Sequence, residues 1–122
     1  YEECLEIKNK LQGATLDYDT VNKMTYMDMV VSETMRKWSL AAVTDRVCSE
    51  DYTLTDEDEN VIFEFKKGDR IWFPFVGLHY DERYFNNPEE YDPERFSEEN
   101  KHKIPPFAYI PFGVGPRVCI GR

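Results

Sequence analysis

The residues best suited to chemistry in this sequence lie in the stretch FGVGPRVCIGR, residues 112–122. Cys119 stands there among three glycines, with Pro116 and Arg117 shortly before it. Glycines let a backbone approach a flat ligand closely, and a nearby arginine favours a thiolate over a thiol. A thiolate on a tight loop is suited to be an axial ligand of haem iron. A buried structural cysteine is the alternative that these residues leave open.

A second group of candidates is charged. Glu33 and Arg36 are three residues apart on a predicted helix, so they project from nearly the same side. They form either an exposed pair or a buried one, and a buried pair needs a third partner, for which Arg95 in PERF is a candidate. Taken alone, Arg46 is read as a surface arginine. His79 has no partner at ligand spacing and is read as a structural histidine.

The elements that must position these residues are predicted from periodicity. Residues 1–12 predict a helix that ends at Gly13. A second helix begins at Thr25, where Thr25 and Asp28 approximate a capping box. Its apolar face consists of Met27, Val30, Val31, Met35 and Trp38.

Beyond that helix the chain predicts short β elements and loops. VIFEF and RIWFPF flank KKGD and predict a hairpin, and TDEDEN is an acidic turn. Residues 78–100 are loop-like, rich in Asn, Asp, Pro and Glu. This order of elements predicts an α+β fold that is mainly α.

Composition limits the possible classes. The 122 residues carry a net charge of −9 and are 41% hydrophobic, which argues against both a nucleic-acid binder and a disordered chain. Three widely spaced cysteines favour a reducing compartment. The sequence begins within a predicted helix and ends in a loop, so we expect it to be a piece of a larger protein.

Three motifs in this order resemble the cytochrome P450 family. FGVGPRVCIG fits the family's haem-binding pattern F-x-x-G-x-R-x-C-x-G at Phe112, Gly115, Arg117, Cys119 and Gly121. ETMR looks like the Glu-x-x-Arg of the family's K helix, and PERF matches a later element. The resemblance covers essentially all of residues 1–122, as a partial P450 domain. The residues around these motifs are most similar to those of animal microsomal members, especially insect enzymes of the detoxifying type.

The resemblance implies a role for each matching residue. Cys119 would be the proximal thiolate ligand of haem b, Arg117 and Arg46 would pair with the propionates, and Phe112 would screen the sulfur. Gly113, Gly115 and Gly121 would shape the cofactor loop. Glu33, Arg36 and Arg95 would form a buried structural triad. A loop over the distal haem face would line the substrate pocket with Ala41, Ala42, Val43 and Thr44.

The implied function is monooxygenation of a small lipophilic substrate with O2, using electrons from NADPH through a flavoprotein reductase. The acid-free segment Lys101–Arg122 would dock that reductase near Lys101, Lys103, Arg117 and Arg122, or would neutralise haem carboxylates. A missing N-terminal anchor would place the protein on the cytoplasmic face of the endoplasmic reticulum, in preference to mitochondria. Two alternatives remain: a family member that rearranges peroxides, and a non-enzymatic acidic interaction domain.

The sequence departs from the family pattern at three places. Ser39-Leu40 follows the K helix where prolines are frequent, Asp81-Glu82 replaces a frequent Asp-Pro, and Tyr91 stands where Phe is common. We expect the first departure to alter the substrate loop and the other two to change little.

Overall fold

The computed structural model describes residues 1–121 and contains four α-helices and four short strands. The helices are α1 (Glu2–Leu11), α2 (Tyr18–Val21), α3 (Thr25–Lys37) and α4 (Phe75–His79). The strands are β1 (Thr44–Val47), β2 (Tyr52–Thr55), β3 (Val61–Phe65) and β4 (Arg70–Phe73). Single turns of 3-10 helix cover Pro93–Phe96, Lys101–Lys103 and Gly115–Arg117. The α+β prediction is confirmed.

Helix α1 ends as the sequence predicts, since Gln12 and Gly13 take left-handed φ values of 44° and 92°. The predicted capping box of α3 is wrong. Thr25 is already inside the helix, and the residue before it, Met24, makes no side-chain cap. Glu3 on α1 caps α3 instead, because its carboxylate accepts from the amides of Tyr26 and Met27 at 3.0 and 2.8 Å.

The predicted hairpin between β3 and β4 is also wrong. β1 pairs antiparallel with β4, and β2 pairs antiparallel with β3, so the two pairs are nested. The true hairpin turns one loop earlier, through the acidic segment, where the Asp56 carboxylate accepts from the amides of Asp58 and Asn60. The KKGD turn does form, but it is bound by the loop between β1 and β2: the amide of Gly68 donates to the Cys48 carbonyl at 2.8 Å.

The core lies between α3 and the long segment that follows α4. Its apolar members are few and separated along the chain: Met24, Met29, Phe75, Phe85 and Ala108. The side of α3 that faces inward also carries two buried charges, Glu33 and Arg36. The predicted apolar face is therefore only partly covered, with Val31 45% and Trp38 58% exposed.

Aromatic hydroxyls tie the long segment to the backbone of α3. Tyr80 donates to the Lys37 carbonyl at 2.7 Å, and Tyr109 donates to the Ser32 carbonyl at 3.0 Å. Tyr91 bonds the Val30 carbonyl at 3.0 Å and stacks on Trp38 with 5.5 Å between ring centroids. The hydroxyl that distinguishes Tyr91 from phenylalanine therefore makes a hydrogen bond to α3.

Candidate functional site

The described residues enclose a cavity of about 800 Å³, which is large enough for an organic ligand. Its walls come from the end of α3, the segment that leads into β1, the junction of β4 with α4, and residues 110–119. Most of its lining is apolar, including Phe73, Phe75 and Phe112. The cavity therefore collects segments that lie far apart in the sequence.

The cysteine loop forms one wall of this cavity. The amide of Cys119 donates to the carbonyl of Phe112 at 2.9 Å, which closes the loop at its base. Gly113 and Gly115 have φ values of 72° and 79°, a conformation that favours glycine. The left-handed turns therefore require two of the glycines that the sequence analysis selected.

Cys119 is exposed and lines the cavity together with Phe112 and Gly113. A Cβ on Gly121 would lie 3.7 Å from the Cys119 Sγ, an ordinary van der Waals contact, so Gly121 is adjacent to the sulfur. The thiol is available to a ligand in the cavity.

Two predicted cations, Arg46 and Arg117, also line the cavity. Arg46 donates to the Thr44 hydroxyl at 3.1 Å and to the Asp45 carbonyl at 2.7 Å, which holds its side chain near β1. Within residues 1–121 neither arginine forms an ion pair with a carboxylate. Both guanidinium groups are therefore available to an anionic ligand.

Of the predicted substrate-lining residues, Ala41, Val43 and Thr44 line the cavity. Ala42 is not among its lining residues, and its carbonyl accepts from the amide of Val76 at 3.3 Å. The adjacent Ser39 and Leu40 also line the cavity, so the departure from the family pattern after α3 lies at its wall.

Glu33 and Arg36 form a fully buried ion pair, with both side chains 0% exposed. Arg36 donates twice to the Glu33 carboxylate, at 2.7 and 2.8 Å. Arg95 approaches the same carboxylate, with its Nε 3.4 Å from Oε1, and donates to the Asn87 carbonyl at 2.9 Å. The structure thus brings all three predicted residues together.

Most of the hydrogen-bond partners of these three side chains are backbone groups. Arg36 donates to the carbonyls of His79, Pro88 and Glu90, at 2.7, 2.8 and 3.2 Å. The Glu33 carboxylate also accepts from the amide of Asp92 at 2.9 Å. The arrangement can fix the path of residues 79–92 over α3, and no part of it reaches the cavity as a lining side chain.

The comparisons with known proteins agree with this geometry. The family model described as Cytochrome P450 matches residues 2–122. The chain belongs to the cytochrome P450 family.

Its curated P450 relatives include several insect proteins. The chain is 63% identical to Cytochrome P450 9b2 of Drosophila melanogaster over 122 residues, which cover 100% of this chain and 24% of that protein. It is 46% identical to Cytochrome P450 6j1 of Blattella germanica over 118 residues, 95% of this chain and 23% of that protein. The chain therefore spans about a quarter of the length of these relatives, and the predicted insect type is confirmed.

Family membership implies a haem cofactor, and the donor set of this P450 site fits one. Cys119 offers a single accessible sulfur ligand, and the two free arginines suit carboxylates such as the propionates. The apolar walls suit the face of a macrocycle. In the part of the chain that the structure describes, no helix is long and apolar enough to cross a membrane.

The buried position of His79 agrees with its interpretation as a structural histidine, but sequence reasoning about this P450 did not identify its contacts. His79 is 0% exposed, and its ring Nε2 accepts from the amide of Ile110 at 3.1 Å. Burial lowers the pKa of His79 below its ordinary value, and the positive charge of Arg36 acts in the same direction, although an interaction of the ring with the backbone of Arg36 opposes them. The sequence gives no periodic signal for this contact, because the two residues are 31 positions apart.

Asp81 and Arg83 are a second missed pair, and both line the cavity. Their side chains are hydrogen-bonded, which lowers the pKa of Asp81 to about 2. The carboxylate is therefore ionised throughout the physiological range and offsets one positive charge at the cavity wall. The motif Asp-x-Arg is the only sequence signal that could have indicated this pair.

Proposed function

We propose that this chain acts within a full-length haem-thiolate monooxygenase that inserts one atom of O2 into a small lipophilic substrate. The observation that carries the proposal is the grouping of the Cys119 thiol with Arg46 and Arg117 around one apolar cavity of about 800 Å³. A thiolate ligand, two cations for carboxylates and apolar walls are the parts that a haem-thiolate site requires.

In this proposal each residue has a distinct task. Cys119 holds the iron of haem b, Arg46 and Arg117 hold the propionates, and Phe112 excludes water from the sulfur. Gly113, Gly115 and Gly121 keep the loop free of side chains where the cofactor lies. When bound, haem supplies the activation of O2, and electrons come from NADPH through a flavoprotein reductase. Ala41, Val43 and Thr44 would contact the substrate.

The thiolate assignment is tested by the absorbance of the reduced, carbon monoxide-bound full-length protein. The native protein should give the Soret band that characterises haem-thiolate ligation, and Cys119→Ser should lose it. Cys48→Ser is the matched control, because Cys48 is a free cysteine that does not line the cavity. Persistence of the band in Cys119→Ser would refute the assignment.

The propionate assignment is tested by haem retention. Arg46→Leu and Arg117→Leu should each increase the rate at which apomyoglobin removes haem, since each loses a charge-assisted bond. Arg70→Leu is the control, because Arg70 is an exposed arginine on β4 that pairs with Asp45 and does not line the cavity. Equal rates for all three variants would contradict the assignment.

We also propose that the reductase docks near Lys101, Lys103 and Arg117. Arg122, predicted for the same surface, lies outside the described residues. Lys101 and Lys103 are exposed and do not line the cavity, whereas Arg117 does line it. This favours two roles for the basic segment: the lysines would contact the reductase, and Arg117 would also neutralise a haem carboxylate. Lys103→Glu should raise the KM for reductase at low salt, and the difference should shrink as salt screens the contact. Lys10→Glu, an exposed change on α1, should have no such effect.

Dependence on NADPH and reductase separates monooxygenation from peroxide rearrangement. Turnover of a hydroperoxide without NADPH or reductase would favour peroxide rearrangement.

We propose the endoplasmic reticulum membrane as the location, on resemblance to microsomal members, and fractionation of cells that express the full-length protein tests it.

The 122 residues alone should not bind haem stably, because large side chains such as Ile62, Phe63 and Ile120 are exposed. Stoichiometric haem uptake by the isolated chain would contradict this.

A further inference from the structure

His79 connects two parts of the molecule that the sequence keeps apart. It ends α4 and is fully buried. Its backbone carbonyl accepts from Arg36 Nη1 at 2.7 Å, and its ring Nε2 accepts from the Ile110 amide at 3.1 Å. One residue therefore contacts both the buried ion pair and the segment that leads into the cysteine loop.

Ile110 connects His79 to that loop through the hydrogen bonds of its backbone amide and carbonyl. Its amide donates to His79, and its carbonyl accepts from the amide of Gly113 at 3.0 Å. Between these bonds lies Phe112, whose carbonyl accepts from the amide of Cys119 at 2.9 Å. A displacement of Ile110 would therefore also displace Phe112 and the backbone of Cys119, because one short turn connects them.

We propose that His79 is a positioning residue: its neutral ring holds the Ile110 amide and so sets the placement of the Cys119 loop relative to the Arg36 network. The inference rests on the proposed role of Cys119 as the haem ligand.

The bond requires one tautomer of the ring. Because the Ile110 amide donates, Nε2 must be unprotonated, and the ring proton must lie on Nδ1. No described protein atom bonds Nδ1. The depressed pKa of the buried ring is consistent with a neutral side chain. The charged and titratable groups near it are Arg36, through the carbonyl bond, and Tyr109, whose ring centroid lies 5.6 Å away.

Two substitutions separate this role from simple packing. His79→Gln places an amide oxygen three bonds beyond Cβ, where Nε2 lies, and can still accept from Ile110. His79→Asn places its oxygen two bonds beyond Cβ, at the level of Nδ1, and cannot reach. Both variants lose the ring, but Asn is one methylene shorter than Gln and leaves the larger cavity. His79→Met has the length of Gln without its amide oxygen, so it separates the lost bond from the lost volume and should exchange like His79→Asn.

The test is amide hydrogen exchange of Ile110 in the full-length holoenzyme. His79→Asn should exchange at least about tenfold faster than the native protein at this amide, and His79→Gln should remain within about threefold. The fraction of protein with the haem-thiolate Soret band should fall in the same order. Tyr91→Phe is the control for general destabilisation, because it removes a bond to the middle of α3 that involves neither His79 nor Ile110 and should leave Ile110 exchange unchanged.

Equal exchange at Ile110 in the Gln and Asn variants would overturn the proposal. If neither variant folds, nitrogen chemical shifts of labelled histidine in the native protein still decide, because a protonated Nε2 would exclude the bond. Failure of the Cys119 assignment is distinguishable: Cys119→Ser would keep its Soret band, while the ordering of Ile110 exchange in the His79 variants would persist.

Discussion

Replacing Arg36 with lysine tests the energetic weight of the buried network. Arg36 makes hydrogen bonds to both Glu33 carboxylate oxygens and to three backbone carbonyls, at 2.7 to 3.2 Å. Lysine keeps the charge but has one nitrogen with three donors, and it lacks the planar fork. Arg36→Lys therefore leaves at least two of the five bonds unmade in a site that water does not reach.

The size of the loss follows from this count. A hydrogen bond to a charged group contributes about 1.5–3 kcal/mol, so two lost bonds correspond to about 3–6 kcal/mol. Disruption of a buried ion pair costs about 3–5 kcal/mol, which agrees with that range. We expect Arg36→Lys to lower the free energy of unfolding by about 3–5 kcal/mol, a large part of the 5–15 kcal/mol typical of native proteins.

Urea unfolding of the full-length protein, followed by far-ultraviolet circular dichroism, measures this change. The midpoint should fall while the slope with urea stays constant, since the same surface is exposed on unfolding. Arg70→Lys is the matched control: Arg70 is exposed and its ion pair with Asp45 spans 3.4 Å, so its loss should be below about 1 kcal/mol. A loss below about 1 kcal/mol for Arg36→Lys would refute the reasoning.

Three further predictions concern stability, each measured by the same unfolding assay. Glu3→Gln keeps one acceptor for α3 but loses the second acceptor and the negative charge, and should cost about 1 kcal/mol; no change would show that the cap is not needed. Tyr91→Phe removes a hydroxyl that bonds α3 and should cost about 1 kcal/mol, whereas Tyr52→Phe, on an exposed strand, should cost almost nothing. His79 has a pKa below 6.5 in the folded protein, so the unfolded chain binds its proton first. The contribution of the neutral His79 ring to the free energy of unfolding is complete above pH 6.5 and is lost as the pH falls towards the folded pKa. His79→Gln should therefore flatten this loss of stability, and an unchanged pH profile would contradict the prediction.

The cysteine loop illustrates what local sequence can predict. Its conformation depends on residues close together in the chain: Gly113 and Gly115 permit left-handed turns, and the loop closes on its own Phe112 carbonyl. The same is true of the end of α1 at Gly13. In each case the residue type decides the backbone, so the pattern predicts the structure.

Pairings between distant segments could not be predicted in this way. KKGD indicated a hairpin of β3 with β4, but the turn is bound by the loop around Cys48, and the strands pair elsewhere. Thr25 and Asp28 suggested a local cap, but Glu3, more than twenty positions earlier, bonds the helix amides. Local propensity differs little between such alternatives, so the packing of the whole chain decides.

By itself, the sequence determined the glycine-rich cysteine loop, the Glu-x-x-Arg pair and the family, because these depend on residue types at short spacing. Only the tertiary structure decided between an exposed and a buried Glu33–Arg36 pair, for which the residues alone left both possibilities open, and only it showed that the His79 ring accepts from the amide of Ile110. Burial and long-range hydrogen bonds arise when distant segments exclude water from the same space. No short stretch of residues specifies that event.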